Sequence, residues 1–263
     1  MYGLVSIIMP SYNTGNFIAE TIASVMAQTY TNWELIIVDD ASTDNTTEVV
    51  TSIMSSRTCS ATTDSSKIRF LQNEKNSGAA VSRNRALREA RGKWIAFLDS
   101  DDLWALEKLQ KQLDFMVKNG YAFSYTKYEE VDEDGKPSGT VVGGPRRISK
   151  TGMYNYCWPG CLTVMYNREV VGDIQVADIR KNNDYAMWLK IVRKADCHLL
   201  AENLASYRKR TGSISNHSYV ALIKWHYKLY REAEGMNPVS SLWITGRNLF
   251  FGVWKKIKYV GRG

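Results

Sequence analysis

The sequence predicts an α/β fold built on a mostly parallel sheet, and three observations carry that expectation. Short apolar runs recur along the first hundred or so residues, and segments with apolar residues at helical spacing separate them. Several of these runs end in polar or acidic clusters. Past residue 120 the rhythm breaks, and Gly and Pro accumulate. Strands that alternate with helices call for parallel pairing through right-handed crossovers.

The elements follow in order. Leu4-Val-Ser-Ile-Ile-Met9 stops at Pro10 and reads as a buried strand. Asn13 or Thr14 caps a helix from Gly15 to about Gln28, with Phe17, Ile18, Ile22 and Val25 on one face. Glu34 to Val38 is a second strand ending in Asp39-Asp40, and Asp44 caps the helix through Val49 and Ile53. Ser55 to Ser66 is rich in Ser and Thr and reads as an exposed loop. Ile68 to Leu71 is a third strand, and Ser77 to Ala90 is a helix bearing Arg83, Arg85 and Arg88. Trp94 to Leu98 is a fourth strand that runs into Asp99-Ser100-Asp101-Asp102, and a helix follows from about Leu103 to Lys118. In the second half, Tyr121–Tyr128 and Leu162–Tyr166 read as strands, Asp132 to Arg147 as a turn-rich loop or hairpin, and Asn183 to Ala195 as a helix.

The bulk composition excludes some classes. At 44% hydrophobic and 23% charged residues the chain is long and apolar enough to bury a core. Its net charge of +7 is uneven: from Tyr207 onward there are 11 Lys/Arg and 2 Asp/Glu, a balance of +9, so the rest carries −2. Such a tail suits an anionic partner: lipid, nucleic acid or diphosphate. Cys59, Cys157, Cys161 and Cys197 form no CxxC pair and read as reduced thiols of a cytoplasmic protein. No leader peptide and no bilayer-spanning stretch is expected.

In open α/β sheets ligands bind beyond the carboxyl ends of the strands. That rule gathers Pro10-Ser11-Tyr12, Asp39-Asp40 and Asp99 to Asp102 at one edge, beside a helix carrying Arg83. Acids with a guanidinium suit a diphosphate and a divalent cation: carboxylates hold the cation, the cation offsets phosphate charge, and arginine adds bidentate contacts.

These motifs resemble the family 2 inverting glycosyltransferases of the GT-A fold, of the bacterial surface-polysaccharide type. The resembling segments are Val5-Ser-Ile-Ile-Met-Pro-Ser-Tyr-Asn13, Ser24-Val-Met-Ala-Gln-Thr-Tyr30, Trp33-Glu-Leu-Ile-Ile-Val-Asp-Asp-Ala-Ser-Thr-Asp44, Asn76-Ser-Gly78 with Arg83-Asn84, and Phe97-Leu-Asp-Ser-Asp-Asp102. A DxD pair alone is common on surfaces, whereas these motifs in this order are specific. The resemblance implies a Rossmann-like nucleotide-binding half over 1–104 and an acceptor-binding half over 105–206. A donor-closing loop and basic amphipathic helices would follow over 207–263. It implies that Pro10, Ser11 and Tyr12 border the base and that Asp39 and Asp40 hydrogen-bond it. Arg83, Asp99 and Ser100 would complete the nucleotide site. Asp101 would bind Mg²⁺ or Mn²⁺, and Asp102 would support the metal or border the donor sugar. Acids at the base suit the imide of uracil or thymine, which favours a UDP-sugar, with dTDP- and GDP-sugars behind it.

The resemblance further implies a late carboxylate that deprotonates the acceptor hydroxyl, and Asn183-Asp184 matches its position with Asn183 in place of a second acid. A helix N-terminus there favours the ionised Asp184 that a base needs. Ser206 to Ser215 resembles the loop that closes over the donor, with Arg208 as the phosphate contact and His217 as a weaker metal or diphosphate ligand. Trp188 has two readings, stacking on a sugar or packing in the core.

Ser240 to Val260 mixes bulky aromatic and aliphatic residues with Arg247, Lys255, Lys256 and Lys258. Either it lies in a membrane interface, or its apolar face packs on the catalytic domain. The first suits a cytoplasmic enzyme peripheral to the inner face of the cell membrane, with a saccharide or lipid-linked saccharide as acceptor. The tail's aromatics sit among aliphatics and not in a polar basic groove, which argues against nucleic acid. A non-catalytic nucleotide-sugar-binding module is the competing function, and it would have no need of Asp184.

Overall fold

The structure, a computed structural model, describes residues 2–55, 67–210 and 219–262. Cys59, His217, most of the Ser55–Ser66 segment and the 211–215 part of the expected closing loop lie outside them.

The first half follows the expected rhythm. Strand β1 (Val5–Ser11), helix α1 (Ile18–Met26), β2 (Trp33–Asp39), α2 (Thr46–Ser55), β3 (Ile68–Gln72), α3 (Ala79–Glu89) and β4 (Trp94–Phe97) come in order. All seven residues of β1 and of β2 are buried, as strands covered on both faces must be. β1 pairs in parallel with β2 and β4, and β2 with β3, giving the order β3-β2-β1-β4. The order reverses between β1 and β4, so a crevice opens beyond their carboxyl ends. Gly92 lets the turn before β4 approach β1: a Cβ there would lie 2.6 Å from the Ser6 nitrogen.

The second half extends the sheet. Its elements are β5 (Leu103–Trp104), α4 (Lys108–Asn119), β6 (Phe123–Val131), β7 (Pro137–Val142), β8 (Arg147–Ile148), α5 (Lys150–Asn155), β9 (Met165–Asn167), α6 (Arg168–Val171), α7 (Asn183–Ile191) and β10 (Cys197–Arg208). Antiparallel β9 joins β4 to β6, and β10 runs parallel to β6. The Asp132–Arg147 segment is a hairpin arm, with β7 antiparallel to β6.

Two expectations are corrected here. The helix expected from Leu103 starts only at Lys108, because Leu103 and Trp104 pair with Ser206 and Ala205 of β10. Residues 197–208 form a long strand that the sequence pattern hid. Ala201-Glu202-Asn203 breaks its apolar alternation where the register with β6 shifts.

The C-terminal part is helical: α8 (Tyr219–Lys228), a π-turn (Leu229–Ala233) and α9 (Pro238–Lys258), then β11 (Val260–Arg262) against β7. Asn237 caps α9 through its side chain to the Ser240 N–H, with Pro238 in the first turn. The inward face of α9 is polar. Ser241, Thr245, Asn248 and Lys255 are buried, while Leu242, Trp243, Phe250, Val253, Trp254 and Ile257 are exposed. Asn248 Nδ2 donates to the hydroxyls of Tyr185 and Tyr230, and Lys255 Nζ to the Trp158 carbonyl at 2.8 Å. Ile244 and Phe251 at the flanks touch the core. The expectation that the apolar face packs on the domain thus fails for most of the helix.

Candidate active site

The crevice between β1 and β4 collects the polar residues that follow the strands. Ser11 Oγ lies 2.9 Å from Thr14 Oγ1, which donates to Ser100 Oγ at 3.1 Å. Thr21 Oγ1 donates to the Ser100 carbonyl at 3.1 Å. This buried hydroxyl chain ties the loop after β1 to the acid loop after β4. Ser11 and Ser100 therefore hold the edge together from inside. Pro10 is buried near the end of β1, and Tyr12, just past that strand, is 44% exposed.

Asp39 and Asp40 are both buried. Asp39 accepts from the Ser42 N–H at 2.9 Å and from its hydroxyl at 2.5 Å. Asp40 accepts from Asn73 Nδ2 at 2.7 Å and from the N–H groups of Ser77 and Gly78 at 2.9 and 2.7 Å. Gly78 stands at φ 91°, a left-handed conformation that glycine adopts without strain, just before α3. Asp40 thus caps α3. Asp44 serves α2, accepting from the Thr46 N–H at 3.0 Å.

Beyond β4 the chain turns tightly, with the Asp102 N–H donating to the Asp99 carbonyl at 3.1 Å. Asp99 pairs with Arg83 Nη2 at 2.6 Å, and Asp101 with Arg210 Nε at 2.9 Å. The acids crowd one another. Burial pushes Asp101 up, Arg210 opposes it and Asp99 adds to it. Asp102 is raised further, first by burial and then by Asp101 and Asp99.

Among the described residues no three His, Cys, Asp or Glu side chains converge as a metal cage. Asp99 and Asp101 still fit a divalent cation. They are oxygen donors only, partly open to solvent, in a cluster whose mutual repulsion a cation relieves. A cation held by one or two carboxylates completes its shell with water and phosphate oxygens.

Arg83 is 6% exposed and reaches two ways. Nη2 binds Asp99 and Nη1 donates to Asn183 Oδ1 at 2.6 Å. Burial works against its charge, but Asp99, Cys161 and Asp184 outweigh that and hold its pKa above the ordinary value. Asn183, where a second acid was expected, thus serves as a neutral acceptor. Asp184 follows in the first turn of α7, partly buried. Burial raises its pKa and Arg83 pulls it back. One guanidinium therefore links Asp99 of the acid loop to Asn183, the neighbour of Asp184.

The sequence model of glycosyl transferase family 2 matches residues 6–171, well over half of the chain. The chain belongs to glycosyl transferase family 2. It is 39% identical over 241 residues to the putative teichuronic acid biosynthesis glycosyltransferase TuaG of Bacillus subtilis, covering 91% of this chain and 92% of that one. It is also 39% identical over 259 residues to WfgD of Escherichia coli, covering 96% and 94%. WfgD is described as a UDP-Glc:α-D-GlcNAc-diphosphoundecaprenol β-1,3-glucosyltransferase. Among solved structures, S. aureus TarS 1-349 in complex with UDP-GlcNAc superposes with a TM-score of 0.70 at 22% identity, over 93% of this chain and 71% of that one. A mannosyltransferase of Pyrobaculum calidifontis, in complex with GDP-Man and Mn²⁺, gives 0.67 at 17%, over 97% and 71%. These likenesses show the GT-A fold.

In this glycosyltransferase further expected ligand contacts are turned inward, as Ser11 and Ser100 are. Trp188 has no exposed surface and packs edge-on against Phe97, with ring centroids 5.1 Å apart, and beside Phe123, so it offers no face to a sugar. Asp102 is 1% exposed and accepts from the Arg208 N–H at 2.9 Å, so it braces the acid loop and does not border a sugar. Arg208 is buried too. Its guanidinium donates to the carbonyls of Asp101 and Glu133 at 2.9 and 2.6 Å and to Glu20 at 2.5 Å. It is committed to protein acceptors where a phosphate contact was expected.

The residue that meets Asp101 from this strand end is Arg210, two positions on. The sequence reading did not select it, although the period of two that makes strand neighbours share a side was visible in Arg208-Lys209-Arg210. Glu20 and Asn73, the partners of Arg208 and Asp40, carried no local signal at all.

Proposed function

We propose that this glycosyltransferase moves a sugar from a UDP-sugar to a hydroxyl of a lipid-diphosphate-linked saccharide in bacterial surface-polysaccharide assembly, inverting the anomeric centre. The observation that carries this reading is the Arg83 bridge between Asp99 on the nucleotide edge and Asn183 beside Asp184. It ties the start of α7, where Asp184 sits, to the acid edge. The WfgD description supplies the donor and acceptor classes, and the TarS complex supports uridine.

In this mechanism Tyr12 and Pro10 flank the base, and Asp39 braces the turn at Ser42 from beneath. Asp40 acts indirectly by holding the Ser77–Gly78 turn. Asp184 takes the proton of the acceptor hydroxyl, and that oxygen attacks the anomeric carbon. The bond to the UDP oxygen breaks on the opposite face, so one displacement inverts the centre and releases UDP. Asp101 with Asp99 would hold Mg²⁺ or Mn²⁺, which when bound offsets the charge on the departing diphosphate. Arg208 positions the acid loop through the Asp101 carbonyl and the Asp102 carboxylate.

The reading extends to location. No described helix is long and apolar enough to cross a membrane. The outward apolar face of α9, with Lys256 and Lys258 exposed, suits a peripheral position on the inner face of the cell membrane, where a lipid-linked acceptor is presented.

Calorimetric titration with UDP, dTDP and GDP, each with and without Mn²⁺, tests the donor side. Metal-enhanced binding of UDP above the others is expected, and its absence sinks the UDP reading. Binding without transfer to any lipid-linked saccharide would instead leave a nucleotide-sugar-binding module.

A further inference from the structure

Against α8 lies a cavity of about 860 Å³ that the reaction as derived does not use. It is bounded by the segment entering α7, by α8 and by the π-turn after it. Five cations, Arg180, Lys181, Lys224, Lys228 and Arg231, line it against the single acid Glu232. That acid is already within 3.5 Å of Lys228. The remaining wall is apolar: Ile179, Trp225, Tyr227 and Leu229.

The cavity adjoins the chemistry. Lys181 stands three residues before Asp184 in the segment that becomes α7. His226, between Trp225 and Tyr227, has its ring 6.3 Å from that of Tyr185. Burial pushes its imidazole down, and Asp184 is near enough to pull the other way. Lys181 lies over the Trp225 ring at 5.1 Å, and burial and Arg180 lower its pKa. Asn182, held at φ 57°, keeps a buried Nδ2 with no hydrogen-bond partner, a spare donor at the same turn. Crowded cations are relieved by a multiply charged anion, and an aromatic and aliphatic wall takes hydrocarbon.

We infer that this groove binds the diphosphate and the first hydrocarbon units of a prenyl-type lipid acceptor, leaving the acceptor sugar toward Asp184. The inference rests on the lipid-diphosphate acceptor proposed above and adds the residues that take it.

The test uses the whole chain saturated with UDP and Mn²⁺, so that the donor site is filled, and titrates it with farnesyl diphosphate. Lys224→Glu/Lys228→Glu, two exposed positions, is the variant. Wild type is expected to bind farnesyl diphosphate more tightly than either inorganic pyrophosphate or farnesol. The variant should bind it at least about tenfold more weakly with UDP affinity unchanged, and its KM for a lipid-linked acceptor should rise by a similar factor. No binding by wild type, or equal binding by the variant, overturns the inference. So does a variant that loses only its affinity for phosphatidylglycerol vesicles, since the cations then serve bulk lipid. Use of free saccharides in place of lipid-linked ones would instead remove the acceptor reading, while UDP titration of the same samples reports on the donor reading alone.

Discussion

As the proposed base, Asp184 must be ionised to accept a proton, yet burial holds its pKa above the 3.8 of a free aspartate. The sign follows: the base is lost as pH falls through the raised value, so the acidic limb of kcat/KM should lie above that of an ordinary aspartate. Asp184→Asn should keep UDP affinity near wild type, lower transfer by at least ~10² and erase that limb. Equal losses in binding and transfer would make Asp184 a structural residue. Lys108 poses the opposite problem. It is fully buried, its Nζ has no hydrogen-bond partner, and only the Trp104 ring, 3.8 Å away, faces it. Burial lowers its pKa well below 10.5. The unfolded chain then binds the extra proton, so stability rises with pH from the folded value toward 10.5. Lys108→Met should stabilise the protein at neutral pH by about 1–3 kcal/mol and flatten that slope in urea titrations. Neither residue's environment was legible in the sequence. Asp184 was found through the motif and Lys108 was not found, because burial of a helix-start lysine depends on strand β5 packing beneath it.

At the scale of elements, β1 to β4 were legible because buried parallel strands are short, apolar and bounded, and because β1, β2 and β4 carried candidate ligand residues at their ends. β10 was not, since its pairing with β6 tolerates Glu202 and Asn203 at the register shift. That strand matters most for the site. It delivers Arg208 to Asp101, Glu133 and Glu20, joining the acid loop, the β6–β7 turn and α1 through one guanidinium. Helix α9 was legible as basic and amphipathic, but its orientation was not, because a hydroxyl-and-amide face packs inward only when Tyr185, Tyr230 and the Trp158 carbonyl wait to receive it. Replacing Leu242, Phe250 and Trp254 together by Ser removes mainly outward apolar area, with the edge-on contact of Phe250 to Phe251 lost as well. The triple variant should fold with at most a few degrees lower melting temperature and lose most of its co-sedimentation with phosphatidylglycerol vesicles. Retained co-sedimentation would remove α9 from the membrane reading.

Across the whole molecule, the crevice and the base come from distant stretches: residues 10–12, 39–40 and 99–102 on one side and 183–184 on the other, drawn together by Arg83. Motif order made the first group readable. The second depended on an Asn in place of an expected acid, and only the bridge explains why a neutral acceptor serves there. The C-terminal part is no loose appendage, since α9 caps the Tyr185–Tyr230 pair and β11 extends the sheet at β7. The outward indoles and aliphatics of α9 thus stand on a helix hydrogen-bonded to the catalytic domain. A catalyst held on the same sheet of lipid as its substrate searches in two dimensions, and its turnover follows how densely the acceptor populates that plane. In mixed micelles at fixed total acceptor, adding inert detergent should therefore slow transfer in proportion to the falling mole fraction. The serine triple variant should respond to the bulk concentration alone.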